Sequence, residues 1–291
     1  MIYILHHDAY YIAQFAKAVH SAIKNDFDCK LSTENIIDIK ENDIFILLNC
    51  FGFNNNGQRN IHIIIINYDI FDCHKHFDCM TSMANYSDNE TYILDYQSPN
   101  IKFFNENNKN PKIKILYLPL TINPYFKNIY ENDSSIVDKK DIDVLLFCGS
   151  MNARRQRIID ELKNKYVTIN VCNTYEGLIP FIKRSKIVLD VYYFDNNKAF
   201  DFYRLVFLLS GGIFFITETP SDIDPTIEPQ LINYSENIIH ADYENLVTTV
   251  DIYLQKSQTE RDELGKKAMK WFENIFNYSE TLAFLLEKIQ N

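Results

Sequence analysis

The stretch DVLLFCGSMNARRQRIIDEL, residues 143–162, joins a strand pattern to a helix pattern through a short polar turn. Residues 144–148 are apolar in succession and predict a buried strand, while Ile158, Ile159 and Leu162 recur at the spacing of one helix face. A strand, a Gly-Ser turn and a helix in this order are typical of one βα unit of a parallel sheet.

Three arginines, Arg154, Arg155 and Arg157, lie in the first turn of the predicted helix. These cations oppose the helix dipole, although the free N–H groups of a helix N-terminus readily bind phosphate. Arg155 shares the apolar face and points toward the sheet, whereas Arg157 can pair with Glu161 four residues later. The turn is therefore a candidate anion site; the alternative is three solvated arginines on a surface helix.

Short apolar runs recur along the chain, separated by helix patterns. The predicted strands are residues 2–5, 45–48, 61–66, 92–94, 113–117, 144–148, 167–172, 187–193 and 213–217. The predicted helices are residues 11–23, 153–165, 175–185, 201–210, 246–255 and 262–290. This alternation predicts an α/β fold of parallel strands covered by helices, with ligands beyond the carboxyl ends of the strands.

A domain boundary is predicted from residues 121–141, which contain a proline, many charges and few aliphatic side chains. We therefore expect an N-terminal domain over residues 1–124 and a linker over residues 125–141. A C-terminal domain over residues 142–270 and a final helix over residues 271–291 follow.

Composition restricts the classes of function. The 291 residues carry a net charge of −10, whereas general nucleic-acid binding needs a basic surface, so no nucleic-acid partner is predicted. The N-terminus lacks a signal-peptide pattern, and the longest aliphatic run, residues 61–66, is too short to span a bilayer. Six scattered cysteines fit reduced thiols. These features predict a cytoplasmic protein without a transmembrane segment.

A second strand-to-helix stretch, residues 187–218, carries further candidate ligand groups. Asp201 and Arg204 form a charged pair in the first turn of the helix, Gly211-Gly212 ends that helix, and Glu218 closes the next strand. We expect these groups near the carboxyl edge of the sheet. The alternative for Asp201 and Arg204 is a surface ion pair that contributes little to stability.

Three blocks of the second half resemble the donor-binding half of GT-B glycosyltransferases, and most of all the spore-maturation-type, or group 1, branch. The blocks are DVLLFCGSMNARRQRIIDEL (143–162), LIPFIKRSKIVLDVYY (178–193) and FDFYRLVFLLSGGIFFITE (200–218). ILDYQSPN (93–100) and ILYLPLTINPYF (115–126) resemble the end of the family's N-terminal domain. The resemblance implies two Rossmann-like domains facing a cleft, a C-terminal helix crossing back to the N-terminal domain, and transfer without a metal.

The same resemblance implies which residues bind the donor. They are Gly149, Ser150, Arg154, Arg155, Asp201, Arg204, Gly212 and Glu218. Arg155 matches the basic residue that the family places on the diphosphate, and Ser150 stands where many relatives have a second one. Phe207 stands where the family often has a glutamate that contacts the donor. Asp201, earlier on the same helix, can substitute; otherwise donor binding has been altered or lost.

For the acceptor, His7 and Asp8 follow the first strand and are candidates for a catalytic base that takes the proton of a hydroxyl in an inverting reaction. The alternatives are a packed ring for His7 and a helix N-cap for Asp8. In the polar loop that follows the second strand, Phe51 and Phe53 can stack on a sugar.

The segment DCHKHFDC, residues 72–79, holds potential zinc ligands at a spacing that fits no common pattern, so no metal site is predicted. Together the features predict a hexosyltransferase-type glycosyltransferase that needs no cofactor. Its partners would be a nucleoside-diphosphate-sugar, with UDP or GDP, and a glycan, glycoconjugate or other hydroxyl acceptor. Arg155 and its helix N-terminus would stabilise the departing diphosphate in catalysis. The rival prediction is a catalytically inactive module of this fold that binds nucleotide or glycan.

Overall fold

The computed structural model divides the chain into two units, each made of more than one segment. The residues it describes are all except 8–9, 35, 37, 50–52, 68–73, 119–121, 135–138, 149, 172–174, 196–198, 229–230, 232, 275–277 and 291, and a few helical side chains beside these gaps. Unit 1 comprises Met1–Leu120, Asp222–Pro229 and Asn277–Asn291. Unit 2 comprises Thr121–Ser221 and Gln230–Phe276.

Unit 1 is built on a six-stranded parallel sheet. Its strands are β1 (Ile2–His6), β2 (Cys29–Ser32), β3 (Ile44–Leu48), β4 (His62–Asn67), β5 (Thr91–Asp95) and β6 (Ile113–Tyr117). Their order in the sheet is β2-β1-β3-β4-β5-β6. The helices that follow strands in the first 120 residues are α1 (Tyr10–Ile23), α2 (His74–Ser82) and α3 (Ser98–Asn107). Every residue of β3 is buried, because an inner strand of a parallel sheet is covered on both faces.

Unit 2 is built on a five-stranded parallel sheet. Its helices are α4 (Pro124–Asn132), α5 (Ala153–Lys163), α6 (Tyr175–Arg184), α7 (Phe202–Ser210), α8 (Tyr234–Asn237), α9 (Leu246–Leu254) and α10 (Gln258–Glu273). Its strands are β7 (Ile142–Phe147), β8 (Thr168–Val171), β9 (Ser185–Asp190), β10 (Phe215–Glu218) and β11 (Ile239–Ala241). The strand order is β11-β10-β9-β7-β8. The predicted apolar face of α5, including Ile158 and Leu162, packs in the core with side chains of β7 and β9.

The segment predicted as a linker, residues 125–141, contains most of α4. Phe126 of this helix is fully buried and lies against Phe207 of α7, with ring centroids 6.0 Å apart. Helix α4 is therefore part of the core of unit 2, because its Phe126 packs on α7.

The single helix predicted over residues 262–290 is two helices. Asn274 caps α10 by donating its backbone N–H to the Phe272 carbonyl. The second helix, α11 (Tyr278–Gln290), belongs to unit 1 and packs on α1. Its buried side chains are Leu282, Leu285 and Leu286. Among the described residues, none of the helices combines the length and the apolar character needed to cross a bilayer.

The insertion Asp222–Pro229, which follows β10 in the chain, is also part of unit 1. Its Glu228 carboxylate accepts hydrogen bonds from the backbone N–H and the hydroxyl of Ser98, at 3.0 and 2.9 Å. Ser98 begins α3, whose N-cap Gln97 makes no side-chain capping bond. Glu228 therefore caps α3 from a distant part of the chain, because the local sequence supplies no capping acceptor.

Candidate functional site

The polar side chains of unit 2 meet at the carboxyl edge of its sheet. The strands β7, β9 and β10 are parallel neighbours, so the loops that follow them open onto the same edge. Asn152 caps α5, accepting a hydrogen bond from the Arg155 N–H at 3.0 Å. This cap fixes the start of the helix, and with it the two arginines Arg154 and Arg155.

Arg155 is a buried cation, 4% exposed. Its Nε donates to the carbonyl of Val191 at 2.9 Å, and Nη1 donates to the carbonyl of Ser150 at 2.7 Å. Within the described residues it forms no ion pair, and Nη2 makes no hydrogen bond. Burial lowers the pKa of Arg155, and the nearby charge of Arg204 lowers it further. A buried charge normally has an ionic partner, so an anion is the ligand that this position favours.

Arg154, in contrast, joins several chain segments. It forms a two-point ion pair with Glu218, in which Nη1 lies 2.7 Å from Oε2, and Nη1 also donates to the Tyr192 carbonyl at 3.0 Å. Its Nε donates to Asp195. The Tyr243 ring centroid lies 3.9 Å from the guanidinium carbon, and the Tyr243 hydroxyl donates to the Arg154 carbonyl at 2.8 Å. Its charge is therefore already neutralised by carboxylates.

Arg204, on α7, is buried and pairs with two carboxylates. Its Nη1 lies 2.9 Å from Oδ1 of Asp190, and its Nε donates to Oδ2 of Asp201 at 3.0 Å. Asp201 is the N-cap of α7 and accepts the Arg204 N–H at 3.3 Å. The hydroxyl of Thr217 donates to Oδ2 of Asp190 at 2.9 Å. The Asp201–Arg204 pair expected from the sequence is thus present, and Asp190 extends it to a triad in which Arg204 and Asp190 are buried.

Burial and the guanidinium of Arg204 set the protonation of this triad. Burial raises the pKa of Asp190 to about 6, although the charge of Arg204 opposes the rise. For Asp201 burial also acts to raise the pKa, but the charge and hydrogen bonds of Arg204 outweigh it, so the pKa falls below its usual range. Burial disfavours the charge of Arg204, yet both carboxylates raise its pKa overall. Arg204 and Asp201 are therefore ionised at neutral pH.

The three guanidinium groups of the site are unequally compensated. Arg154 and Arg204 take the ion pairs with Glu218, Asp195, Asp190 and Asp201. Arg155 hydrogen-bonds to carbonyl oxygens and forms no ion pair among the described residues, and the charges of Asp190 and Asp201 act on it only from a longer distance. Of the arginines predicted to bind the donor, Arg155 is therefore the one that has no ion pair among the described residues and can pair with an anionic ligand.

The other predicted donor-binding residues lie in different places. Ser150 is exposed and contributes its carbonyl to Arg155. Gly212 has a φ of +61°, which favours glycine, and its N–H bonds to the Leu209 carbonyl where α7 ends. Because this turn precedes β10, Gly212 lies at the amino edge of the sheet, away from Arg155. Gly149 lies outside the described residues.

Arg157 is exposed, in agreement with the alternative of a solvated arginine on a surface helix. Its partner, however, is not the expected Glu161. It pairs with Glu244 at 3.2 Å, and the predicted pair with Glu161 does not form. The reason is that the turn before α9 brings Glu244 close to the solvent face of α5.

Phe207, at the position of the family's frequent glutamate, is a core residue. It is fully buried, and its ring stacks on Tyr130 of α4 with centroids 4.9 Å apart. A carboxylate would have to replace this ring inside an aromatic cluster, where ionisation is unfavourable. Asp201 could substitute for the glutamate, but its carboxylate is already paired with Arg204.

The candidates in unit 1 are only partly described. His7 is exposed directly after β1, which does not support the alternative of a packed ring; the neighbouring His6 is the buried residue, and its Nδ1 lies 2.8 Å from the His7 carbonyl. Asp8 and Phe51 lie outside the described residues. The expectation for Phe53 is wrong: it packs in the core, with its ring centroid 4.9 Å from that of Phe45.

The metal prediction for residues 72–79 is not addressed by the structure. Cys73 lies outside the described residues, as do the side chains of His74 and His76. Elsewhere, the described residues hold no group of three or more potential metal ligands.

Sequence reasoning missed three residues that build the site, namely Asn152, Asp190 and Tyr243. Asn152 stands directly before the helix pattern, which is the usual signal of an N-cap. Asp190 is the single charged residue in an apolar run, and such a residue needs a buried partner. For Tyr243 the sequence carries no signal, since its contact with Arg154 joins residues 89 positions apart.

Unit 1 has a polar cluster of its own beyond the carboxyl ends of β4 and β5. Asp95 is fully buried and accepts hydrogen bonds from the side chains of Asn67 and Asn100, at 2.6 and 2.9 Å. Burial raises the pKa of Asp95 to about 7, against the effect of these hydrogen bonds, and the nearby Glu228 adds to the rise. Burial likewise raises the pKa of Glu228 to about 7.

Two curated proteins are similar to the chain, both from Acanthamoeba polyphaga mimivirus. The uncharacterized protein R358 is 25% identical over 192 residues, which cover 66% of this chain and 61% of that protein. The uncharacterized protein L140 is 25% identical over 156 residues, which cover 50% of this chain and 45% of that protein. The chain thus spans less than two thirds of each relative. No protein-family profile matches it.

Several solved structures share the fold. An alpha-glucosyltransferase in complex with UDP-glucose and DNA containing an abasic site aligns over 100% of this chain and 98% of its own, with a TM-score of 0.66 and 8% identity. An alpha-glucosyltransferase with UDP and a 13-mer DNA containing an HMU base aligns over 100% and 99%, with a TM-score of 0.59 and 7% identity. The N-terminal domain of Candida albicans trehalose-6-phosphate phosphatase aligns over 97% and 75%, with a TM-score of 0.53 and 10% identity.

At these identities the likeness shows the fold. The chain is an α/β protein with two parallel sheets and the fold of GT-B glycosyltransferases, so the predicted α/β class is confirmed. The cleft between two domains and the crossing C-terminal helix stay predictions. The spore-maturation-type branch stays a prediction.

Proposed function

We propose that the chain is a glycosyltransferase that takes a sugar from a nucleoside-diphosphate-sugar and passes it to a hydroxyl acceptor. The observation that carries the proposal is Arg155, a buried cation without an ion pair among the described residues, next to the N-terminus of α5. A diphosphate would supply the missing anion, and the N–H groups of the helix N-terminus would add to its binding. The two glucosyltransferase neighbours, which hold UDP or UDP-glucose, support this choice of donor.

In the proposed reaction an acceptor hydroxyl oxygen forms a bond to the anomeric carbon of the sugar. The bond from that carbon to the diphosphate breaks, and its electron pair stays on the departing phosphate oxygen. Arg155 and the N-terminus of α5 stabilise the charge that develops there, so no metal is included in the proposal. If the reaction inverts the anomeric centre, His7 or Asp8 takes the hydroxyl proton. UDP and GDP are the proposed nucleotides.

The test is release of nucleotide from UDP-, GDP- and TDP-sugars by the wild type and by Arg155→Ala. Removing a charge that acts on the leaving group should lower turnover about a hundredfold or more. The matched control is Arg157→Ala, two residues along the same helix, whose side chain is exposed and paired with Glu244. Control activity should equal that of the wild type. Equal loss in both variants, or no turnover and no calorimetric binding with any donor, would contradict the proposal.

A second candidate function is a module of the same fold that binds a nucleotide or glycan without turnover. Phe207 favours it, because this buried ring occupies the position of the family's frequent glutamate. Binding of UDP or GDP that depends on Arg155, together with no release of nucleotide from any sugar donor, would identify the binding module.

The acceptor is proposed to be a glycan or glycoconjugate hydroxyl, and not a nucleic acid, because the net charge is −10. The two neighbours in complexes with DNA favour the opposite choice. An acceptor screen should therefore compare oligosaccharides with a 13-mer DNA that contains an HMU base. Transfer to the DNA alone would refute the glycan proposal and leave the donor proposal intact.

A further inference from the structure

Three exposed apolar side chains follow strands at the carboxyl edge of the sheet in unit 2. They are Met151, before α5, and Tyr193 and Phe194, after β9. The rings of Tyr193 and Phe194 have centroids 4.9 Å apart and planes at 80°. Phe194 is 50% exposed. Leaving large apolar surface in water lowers the stability of a fold, so a clustered exposed pair calls for an explanation.

The backbone beneath these rings is held on both sides. Asn152 donates from its side-chain amide to the Tyr193 carbonyl at 2.6 Å. The preceding residue, Tyr192, donates its N–H to Glu218 at 3.1 Å, and its carbonyl accepts from Arg154 at 3.0 Å. The aromatic pair is therefore presented on an anchored segment, which lowers the entropy cost of ordering the rings against a ligand.

The rings also lie next to the candidate anion position. The guanidinium carbon of Arg155 is 5.4 Å from the ring centroid of Tyr193, and Phe194 is on the chain directly after it. A nucleoside diphosphate whose phosphate contacts Arg155 would therefore carry its base, on the far side of the ribose, into the neighbourhood of Tyr193 and Phe194. Flat, weakly polar rings stack favourably on aromatic side chains, and a nucleobase is such a ring.

We infer that Tyr193 and Phe194 form the stacking surface for the base of the bound nucleotide, with Phe194 as a determinant of nucleotide affinity. The inference rests on the proposed function, since it needs a nucleoside diphosphate at Arg155. Stacking is tolerant of base identity, because every base has a flat face. Phe194 therefore strengthens binding of UDP and GDP alike, and selection between them falls to other groups.

The experiment is calorimetric titration of wild type, Phe194→Ala and Phe284→Ala with UDP, GDP and pyrophosphate, which has no base. Phe194→Ala should weaken UDP and GDP about tenfold, the usual effect of losing one stacking contact, and leave pyrophosphate unchanged. Phe284 is the matched control, since it is an exposed phenylalanine, 69% exposed, on α11 of unit 1. Its replacement should change none of the three affinities.

Each other outcome has a distinct meaning. Unchanged UDP and GDP affinities in Phe194→Ala, or an equal loss of pyrophosphate affinity, would overturn the inference and leave the donor proposal standing. A wild type that binds neither nucleotide nor pyrophosphate would refute the proposed function itself.

Discussion

Replacing Arg204 by methionine tests the electrostatic centre of unit 2. Methionine has a similar length and carries no charge, so the substitution removes the guanidinium and keeps most of the packing. The carboxylate of Asp190, 2% exposed, then keeps the hydrogen bond from Thr217 and the more distant charge of Arg155, but no ion pair. Removing one partner of a buried ion pair usually costs about 3–5 kcal/mol, and we expect a loss of that size at pH 8.

The loss should depend on pH in a definite direction. Asp190 already has a pKa raised to about 6 by burial, against the opposing charge of Arg204. Without that charge the pKa rises further, so the carboxyl of the variant is protonated at pH 5 and no longer a buried charge. The deficit of Arg204→Met should therefore be smaller at pH 5 than at pH 8, by at least about 1 kcal/mol, the value of roughly one pKa unit.

The assay is urea unfolding followed by the fluorescence of Trp271, the single tryptophan, which lies on α10 in unit 2. The double variant Asp190→Asn/Arg204→Met removes the unpaired carboxylate and should recover part of the loss at pH 8, while Asp190→Asn alone completes the cycle. A deficit below about 1 kcal/mol at pH 8, or one that is equal at both pH values, would refute the reasoning.

Three further substitutions give sharp outcomes. Phe207→Glu buries a carboxylate in the aromatic core. It should lower the free energy of unfolding, followed by Trp271 fluorescence, by several kcal/mol, and nucleotide binding measured by calorimetry should not become stronger. An active, stable variant would contradict this. Asp95 has a pKa raised to about 7 by burial, so the folded state binds its proton more tightly and stability falls as pH rises from about 4 to 7. Asp95→Asn should flatten that slope in urea midpoints measured by circular dichroism, and an unchanged slope would count against it. Gly265→Ala would place a Cβ in steric overlap with the Gly212 carbonyl oxygen, so the melting temperature should fall; an unchanged melting temperature would show that the backbone moves at little cost.

The long apolar patterns of the chain predicted the fold well. The strand predicted at residues 113–117 has the same bounds as β6, and the helix predicted at residues 11–23 begins one residue later than α1. Short elements were missed, because β2 has four residues and little burial, so its hydrophobic pattern is weak. The helix α3 was missed for a different reason: its capping carboxylate comes from Glu228, 130 residues after Ser98.

The site was predictable in part. The helix spacing correctly gave the buried direction of Arg155, and the strand ends correctly located Glu218 and the pair at Asp201. Partner choice was not predictable, since Arg154 binds Glu218 across 64 residues of sequence. The burial of Phe207 was not predictable, because α4, which covers it, was predicted as a linker.

The division of unit 1 into three chain segments affects how the protein is made. A ribosome releases all of Thr121–Phe276 before the last segment, Asn277–Asn291, emerges. During that interval the first 120 residues lack α11, whose leucines pack in unit 1, and until Glu228 emerges they also lack the carboxylate that caps α3. The unit encoded second is therefore complete first, and a chain from which Asn277–Asn291 is removed would expose apolar surface of the unit encoded first.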